Sequence, residues 1–320
     1  MSQRTLSIGK LRAIQRSSTA DGFLSILAVD HQDALRVVMQ PDAPMSVPDA
    51  DMTTFKMDAI QAMAPAISGV LLDPLYGAAQ AIRAGLVNNM GLLLEMEQAG
   101  YQMEPLPLHV DILENWSVEK VKRMGGDGTK LFFYYNPADT ATAEVQDAVV
   151  AALVRDCAIH DIPLYAEPIF YPHEGTSKRE MVIEAARRTA ALGADVLKME
   201  FPIDVTAEPD QQVWADACAE LTDTVDVPWV LLSAGVTFEQ FVQQLEISCK
   251  AGASGYIAGR AVWGDGAKLP TAEARKAWLQ TVGVERIQRL SDIAAEHGTP
   301  WTESYALPDI GTNWYATYGA

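Results

Sequence analysis

Three consecutive stretches decide the fold: Trp229–Gly235 (WVLLSAG), Thr237–Lys250 (TFEQFVQQLEISCK) and Gly255–Trp263 (GYIAGRAVW). The first and third are continuously apolar at their starts. A strand of a parallel sheet, buried on both faces, requires that pattern. The middle stretch reads as a helix. Thr237 and Gln240 stand at capping-box spacing, and the helix is expected to close before Gly252. Strand, helix, strand is the unit of a parallel α/β fold.

The same pattern extends outward over most of the chain. Apolar runs occur at Phe23–Asp30, Ile67–Pro74, Gly91–Met96, Thr129–Tyr135, Pro163–Phe170 and Val196–Pro202. With Trp229–Gly235 and Gly255–Trp263 they number eight. The stretches between them read as helices. Thr142–His160 is expected to bury Val145, Val149, Ala152 and Leu153 on one face. Lys178–Leu192 is expected to be capped by Gly193. Eight alternating units make a closed barrel or a doubly wound open sheet. Eight is the closure number, and no GxGxxG follows the first run, so a (β/α)8 TIM barrel is expected. The chain is read as one domain over residues 1–320. The barrel spans about residues 22–290 and follows an N-terminal helix. A C-terminal extension, about 299–320, carries Trp301, Tyr305, Trp314, Tyr315 and Tyr318. So many aromatics do not suit a disordered tail, and packing on the barrel or on a second subunit is expected.

Composition narrows the function. Net charge is −18, which disfavours nucleic acid and anionic membranes as partners. No run approaches the length of a membrane span, and the first residues lack a secretory h-region. Cys157, Cys218 and Cys249 have no CxxC spacing; two lie in helical patterns, and all read as small buried hydrophobes. A reducing cytoplasm is therefore expected. An acidic protein that binds an anion must concentrate its few cations at the site.

In a barrel the active site lies at the C-terminal ends of the strands. Charged residues in or ending the apolar runs are Asp30, Asp73, Glu95, Lys130, Glu167, Lys198, Glu200 and Arg260. Lys198 stands inside VLKMEFP, where only the barrel mouth offers water. Desolvation there favours the neutral amine that nucleophilic attack requires. A structural pair with Glu200 is the alternative. Lys130 could depress that amine further or hold substrate hydroxyls, or it could form a structural pair with Glu167 or Asp30. Glu167 is a candidate proton shuttle. Asp30 could orient the lysines or cap the following helix. Ser233, Ala234 and Gly235, with Gly259 and Arg260, follow the last two strands, where barrels commonly bind phosphate. His31, His109, His160, His173 and His297 show no ligand spacing, so neither a metal nor another cofactor is expected.

LAVDHQDAL, LLDPLYG, NWSVEKVKRMGGDGTKLFFYY, DVLKMEFP, LSAGV and AGRAVW, in this order from about Gly22 to Arg289, resemble the LacD-type tagatose-1,6-bisphosphate aldolase family of class I aldolases. The resemblance implies a metal-independent retro-aldol reaction on a ketose 1,6-bisphosphate, giving dihydroxyacetone phosphate and glyceraldehyde 3-phosphate. It implies Lys198 as the Schiff-base residue, Lys130 as a second active-site lysine, Glu167 as acid/base and Asp30 as the strand-one carboxylate. It also implies Ser233, Gly235, Gly259 and Arg260 as the phosphate site. Relatives read Asp-Gln-Arg where this chain reads Asp30-His31-Gln32, so the contact to the far end of the substrate is altered. Arg36 or Lys178 is the alternative source of a cation there. Asp73 is carried as a further substrate-binding candidate, and a homo-oligomer, such as a dimer, is expected. Two other readings use the same scaffold: a sulfofructose-phosphate or other ketose-1-phosphate aldolase, and a catalytically quiet sugar-phosphate sensor.

Overall fold

The computed structural model describes residues 3–98, 109–316 and 318–319. Eight parallel strands close into a barrel in sequence order. They are β1 (Leu24–Ala28), β2 (Gly69–Leu72), β3 (Gly91–Glu95), β4 (Gly128–Tyr134), β5 (Leu164–Ile169), β6 (Val196–Met199), β7 (Trp229–Leu232) and β8 (Gly255–Ala258). Each lies within or next to an expected apolar run. Closure falls between β8 and β1, where Leu24 pairs with Gly255. Gly255 adopts φ +126, and a Cβ there would lie 2.2 Å from the Leu24 carbonyl oxygen. Only glycine permits that backbone approach.

The helix Lys178–Leu192 has its expected bounds, with Gly193 left-handed at φ 109. Phe238–Lys250 carries the expected capping box of Thr237 and Gln240. Two readings are corrected. The run Gly255–Trp263 is not all strand: β8 ends at Ala258, and Arg260–Ala267 is helix. Val262 and Trp263 are buried on that helix, so their apolarity mimicked a strand. The helix Thr140–Ile159 also turns a different face inward. It buries Thr142, Ala143, Gln146, Val150, Leu153 and Cys157, whereas Val145 is 40% exposed. Two backbone groups draw Gln146 inside. Its side chain accepts from the Val110 N–H (3.1 Å) and donates to the Tyr134 carbonyl (3.0 Å). Apolar spacing alone could not choose between faces on a helix with apolar residues all round.

The helix Ile8–Arg16 closes the N-terminal end of the barrel, with Ala13 and Ile14 buried. Arg4–Thr5 and Tyr305–Ala306 form a small parallel pair beside it. The C-terminal extension divides. Trp301 and Tyr305 are buried, and the Tyr305 hydroxyl donates to the Asp195 carbonyl at 2.6 Å. Trp314, Tyr315 and Tyr318 are exposed. Among the described residues no helix is long and apolar enough to cross a membrane. All three cysteines are free, buried and helical, and burial pushes each thiol up to about 12.

Candidate active site

Parallel register places the charged residues. Glu95 on β3 pairs with Lys130 on β4, so their side chains share one face and one level. Ala166 pairs with Leu197, which sets Glu167 on β5 level with Lys198 on β6. These residues, with Asp30 just past β1, line a cavity of about 420 Å³ at the C-terminal end of the barrel. His31, Gln32, Ser233, Ala234, Gly259 and Arg260 line it too.

The two lysines have different surroundings. Lys130 is 2% exposed and stands among three carboxylates: Asp30 at 2.9 Å, Glu97, with which it hydrogen-bonds, and Glu167 at 3.4 Å. Burial acts to lower its pKa, but the carboxylates prevail and hold it well above the ordinary lysine range. Lys130 therefore remains an ammonium ion. Lys198, 5% exposed, has its Nζ 2.8 Å from Oε2 of Glu167. That oxygen is buried and lacks a hydrogen bond of good geometry, so the contact is one of charge and proximity.

Asp30 is buried, and burial would raise its pKa. Lys130 and the His31 contact outweigh this and hold it well below the ordinary range. Glu95 and Glu97 move the opposite way. For both, burial is the largest cause; at Glu95 the neighbouring Glu97 adds to it, and at Glu97 the Lys130 charge opposes it. The carboxylates of Asp30, Glu95 and Glu97 lie within 4.8 Å of one another, a grouping that the histidine spacings gave no reason to expect. Lys130 is its counter-charge on two of the three.

At the other wall, Ala234 (φ 44) and Gly235 (φ +78) are successive left-handed residues after β7. A left-handed alanine is uncommon and marks a constrained turn. A Cβ on Gly235 would lie 3.3 Å from Arg260 Cζ, so the guanidinium packs over this turn. Arg260 is exposed, and among the described residues no carboxylate pairs with it. The turn after β7 and the start of the helix after β8 thus meet, as the sequence implied.

His31 stands edge-on to Trp263, with its Nδ1 3.4 Å from Oδ1 of Asp30. Burial lowers its pKa despite Asp30, and Arg260 and Lys198 lower it further. The ring is therefore neutral near pH 7. Gln32 donates to Glu95. Of the two alternative cations, Arg36 is buried against Asp49, the Val47 carbonyl and Tyr76, away from the cavity. Lys178 pairs with Glu200 at 2.8 Å.

Asp73 is a correction. It is 0% exposed and does not line the cavity. It pairs with the equally buried Lys56 and accepts from the Leu75 and Tyr76 N–H groups (2.9 and 2.6 Å). Lys56 also donates to the Val29 and His31 carbonyls, at 2.7 and 2.9 Å. Those two carbonyls flank Asp30, so the pair anchors the Asp30 backbone from behind. Glu97 was missed because it lies just past its apolar run. Glu95 stood out as a strand charge but had no role assigned, and Glu200, weighed as a structural partner for Lys198, pairs with Lys178 while Lys198 faces Glu167.

A model of the DeoC/LacD family aldolases matches residues 24–265. The chain belongs to that family. It is 31% identical to tagatose 1,6-diphosphate aldolase 2 of Enterococcus faecalis, over 93% of this chain and 97% of that one. It is 30% identical to tagatose 1,6-diphosphate aldolase of Listeria monocytogenes, over 93% and 95%. Among solved structures, an archaeal fructose 1,6-bisphosphate aldolase superposes with TM-score 0.60 at 20% identity, covering 90% of this chain and 99% of its own. The fructose-bisphosphate aldolase of Plasmodium falciparum superposes with TM-score 0.71 at 14% identity, over 93% and 98%. These structural likenesses establish the barrel. As a DeoC/LacD aldolase, the chain is a lyase.

Proposed function

We propose that this aldolase cleaves a ketose phosphate between C3 and C4 through a Schiff base on Lys198. The reference substrate is tagatose 1,6-bisphosphate, the compound in the names of its relatives, with dihydroxyacetone phosphate and glyceraldehyde 3-phosphate as products. The observation that carries this reading is the unequal pairing of the two cavity lysines. Lys130 is fixed as a cation by three carboxylates, whereas Lys198 faces Glu167. An amine nucleophile needs a base that takes its proton, and Glu167 at 2.8 Å is placed to do so.

Lys198 Nζ attacks the ketone carbon; Glu167 then returns the proton it took from Lys198 to the carbinolamine hydroxyl, which leaves as water and gives an iminium ion. Glu167 takes the proton of the C4 hydroxyl as the C3–C4 bond breaks. The bonding pair moves into the iminium, which becomes an enamine, and the aldehyde half leaves. The enamine is then protonated at C3 by Glu167 or water, and hydrolysis frees Lys198. The Lys130 ammonium and Asp30 hold the hydroxyls and the carbinolamine. The C1 phosphate rests on Arg260, Gly259 and the Ser233–Gly235 turn; position 259 must be glycine, since a Cβ there would lie 2.7 Å from the Ala28 carbonyl oxygen and 2.8 Å from the His31 ring. Lys130 serves Asp30 and Glu97 as counter-charge, and the chemistry proposed here uses no metal. Three buried thiols that need no oxidising compartment favour the cytoplasm. The whole chain is proposed to act as one domain. The exposed Trp314, Tyr315 and Tyr318 favour a homo-oligomer.

Borohydride reduction with dihydroxyacetone phosphate should leave an adduct on Lys198. Lys198→Met should lose the adduct and at least roughly a thousandfold in kcat. Activity should survive chelation. An adduct on Lys130, or activity restored by an added divalent metal, would overturn the reading.

A further inference from the structure

The catalytic face has an unusual charge inventory. The eight connections from strand ends to the following helices contain twelve acidic residues and no lysine or arginine. The acidic residues are most concentrated between β6 and its helix, at Glu200, Asp204, Glu208 and Asp210. Cations at the starts of the helices already have partners. Arg36 holds Asp49, Lys120 donates to the Asn115 carbonyl, Lys178 holds Glu200 and Arg179 holds Glu220. Within the cavity Lys130 is neutralised by its carboxylates, and Lys198 is the reacting amine. Among the described residues this leaves Arg260 as the cavity's cation without a carboxylate partner. The cavity is also lined by Gln32, Asp33, Glu95, Glu97, Gln98 and Glu200.

We infer that the cavity recognises a single phosphate, at Arg260, and reads the other end of the sugar through hydrogen bonds. A second phosphate on the aldehyde half then gains no binding, and an unphosphorylated aldehyde half is preferred. Resting on the proposed Schiff-base reaction, with its C1 phosphate at Arg260, the inference concerns the other half of the substrate. The physical reason is simple. A phosphate dianion needs a fixed cation or several oriented N–H donors. Deeper in the cavity it meets instead Asp30, Glu97 and Glu167, which outnumber the two lysines they face, and like charge across an interface selects against a partner. Amide and carboxyl groups are good partners for sugar hydroxyls. Gln32, at the end of the strand-one segment, is neutral and already donates to Glu95.

The test runs the reaction toward synthesis, with dihydroxyacetone phosphate held constant. The second substrate is glyceraldehyde or glyceraldehyde 3-phosphate. At low salt, kcat/KM should favour glyceraldehyde by roughly tenfold or more. Raising the salt concentration should narrow the ratio, because screening weakens repulsion between charges. Glu200→Gln should narrow it too, by removing a carboxylate and releasing Lys178. Parity, or a preference for the phosphorylated aldehyde, overturns the inference. If Lys178→Met abolishes such a preference, Lys178 leaves Glu200 for the phosphate. A ratio unmoved by both salt and Glu200→Gln would trace the preference to the aldehydes and overturn it as well. If neither aldehyde condenses, the Schiff-base reading itself fails.

Discussion

At the N-terminal end of the barrel, Lys10 grips both oxygens of Asp195, at 2.9 and 2.8 Å. Asp195 also accepts from the Leu164 N–H. Asp127 nearby is held in the same way by Arg16 and by the Leu92 N–H. At the C-terminal end the residue types repeat but the bonding does not. Oδ1 of Asp30 and Oε2 of Glu167 are buried oxygens in contact with charge but without a hydrogen bond of good geometry. The sealed end also holds buried hydroxyls without a hydrogen bond of good geometry, on Ser25 and Tyr165, so the contrast lies in the carboxylates, whose unpaired oxygens are the costlier ones. One end uses ion pairs to seal a barrel. The other leaves two of its carboxylate oxygens without such hydrogen bonds at the cavity.

The largest test of that contrast is Lys130→Met. It strands Asp30 and Glu97 and removes part of the field at Glu167. Breaking a buried ionic cluster on one side costs about 3–5 kcal/mol, and activity should be lost. The pH dependence has a definite sign. In the wild type Lys130 depresses the Asp30 pKa against the pull of burial. That contribution is present above the unfolded carboxylate value and is lost as pH falls through the folded one. Without Lys130, burial prevails and the carboxylates take up protons on folding. Urea unfolding at pH 8 and at about pH 5 should then show the variant's deficit shrinking at the lower pH. A deficit independent of pH would mean that the cluster finds another counter-charge.

The second test lies behind the site. Lys56→Met leaves Asp73 buried and unpaired and frees the carbonyls on either side of Asp30. The expected cost is again about 3–5 kcal/mol. Adding Asp73→Asn keeps an acceptor for the Leu75 and Tyr76 N–H groups and should restore part of it. Because Asp30 loses its anchor, kcat should fall in both variants, with little change in KM for dihydroxyacetone phosphate. If kcat recovers along with stability in the double variant, Lys56 acts on the fold alone.

How these residues were read from sequence follows from the same physics. Lys198, Lys130, Glu167 and Asp30 were legible because a charge inside a continuously apolar run is costly and so needs a reason. The strands were legible for the complementary reason. Asp73 met the same criterion as Asp30, and both end a strand. What separates them is which side each carboxylate faces and whether a lysine from the next helix, Lys56, reaches it. Neither fact is local. Glu97 met no criterion, since it lies past its run, and only the barrel's closure carries it to Lys130. On the helix Thr140–Ile159, Gln146 turns inward for two backbone groups distant in sequence, and apolar spacing does not register that.

A smaller effect is expected at the sealed end. Lys10→Met leaves Asp195 with its Leu164 N–H bond, and the two side chains are 13% and 10% exposed. Destabilisation of about 1–2 kcal/mol is expected, with kcat unchanged. A fall in kcat with stability preserved would mean that the two ends communicate, and would break the contrast.

The smallest effect concerns His31, where burial lowers the pKa in spite of Asp30. For a base so shifted, the unfolded chain binds more protons than the folded one between the folded pKa and about 6.5. Stability therefore falls as pH drops below about 6.5 and continues to fall until the folded pKa is reached. Glu95, Glu97 and Asp195 pull the other way. Their raised folded values mean that acidification favours the fold over part of the same range. Comparing wild type with His31→Gln removes that background, because both proteins share those carboxyl groups. Between pH 7.5 and 5.5 the wild type should lose more stability than His31→Gln, by at most about 1 kcal/mol, as read by urea unfolding. The Asp30 contribution does not interfere, since its depressed titration lies below this window. If the wild type instead gains stability relative to His31→Gln as pH falls, His31 carries its proton in the fold. The cavity would then hold a second cation beside Arg260, and a second phosphate would have a partner after all.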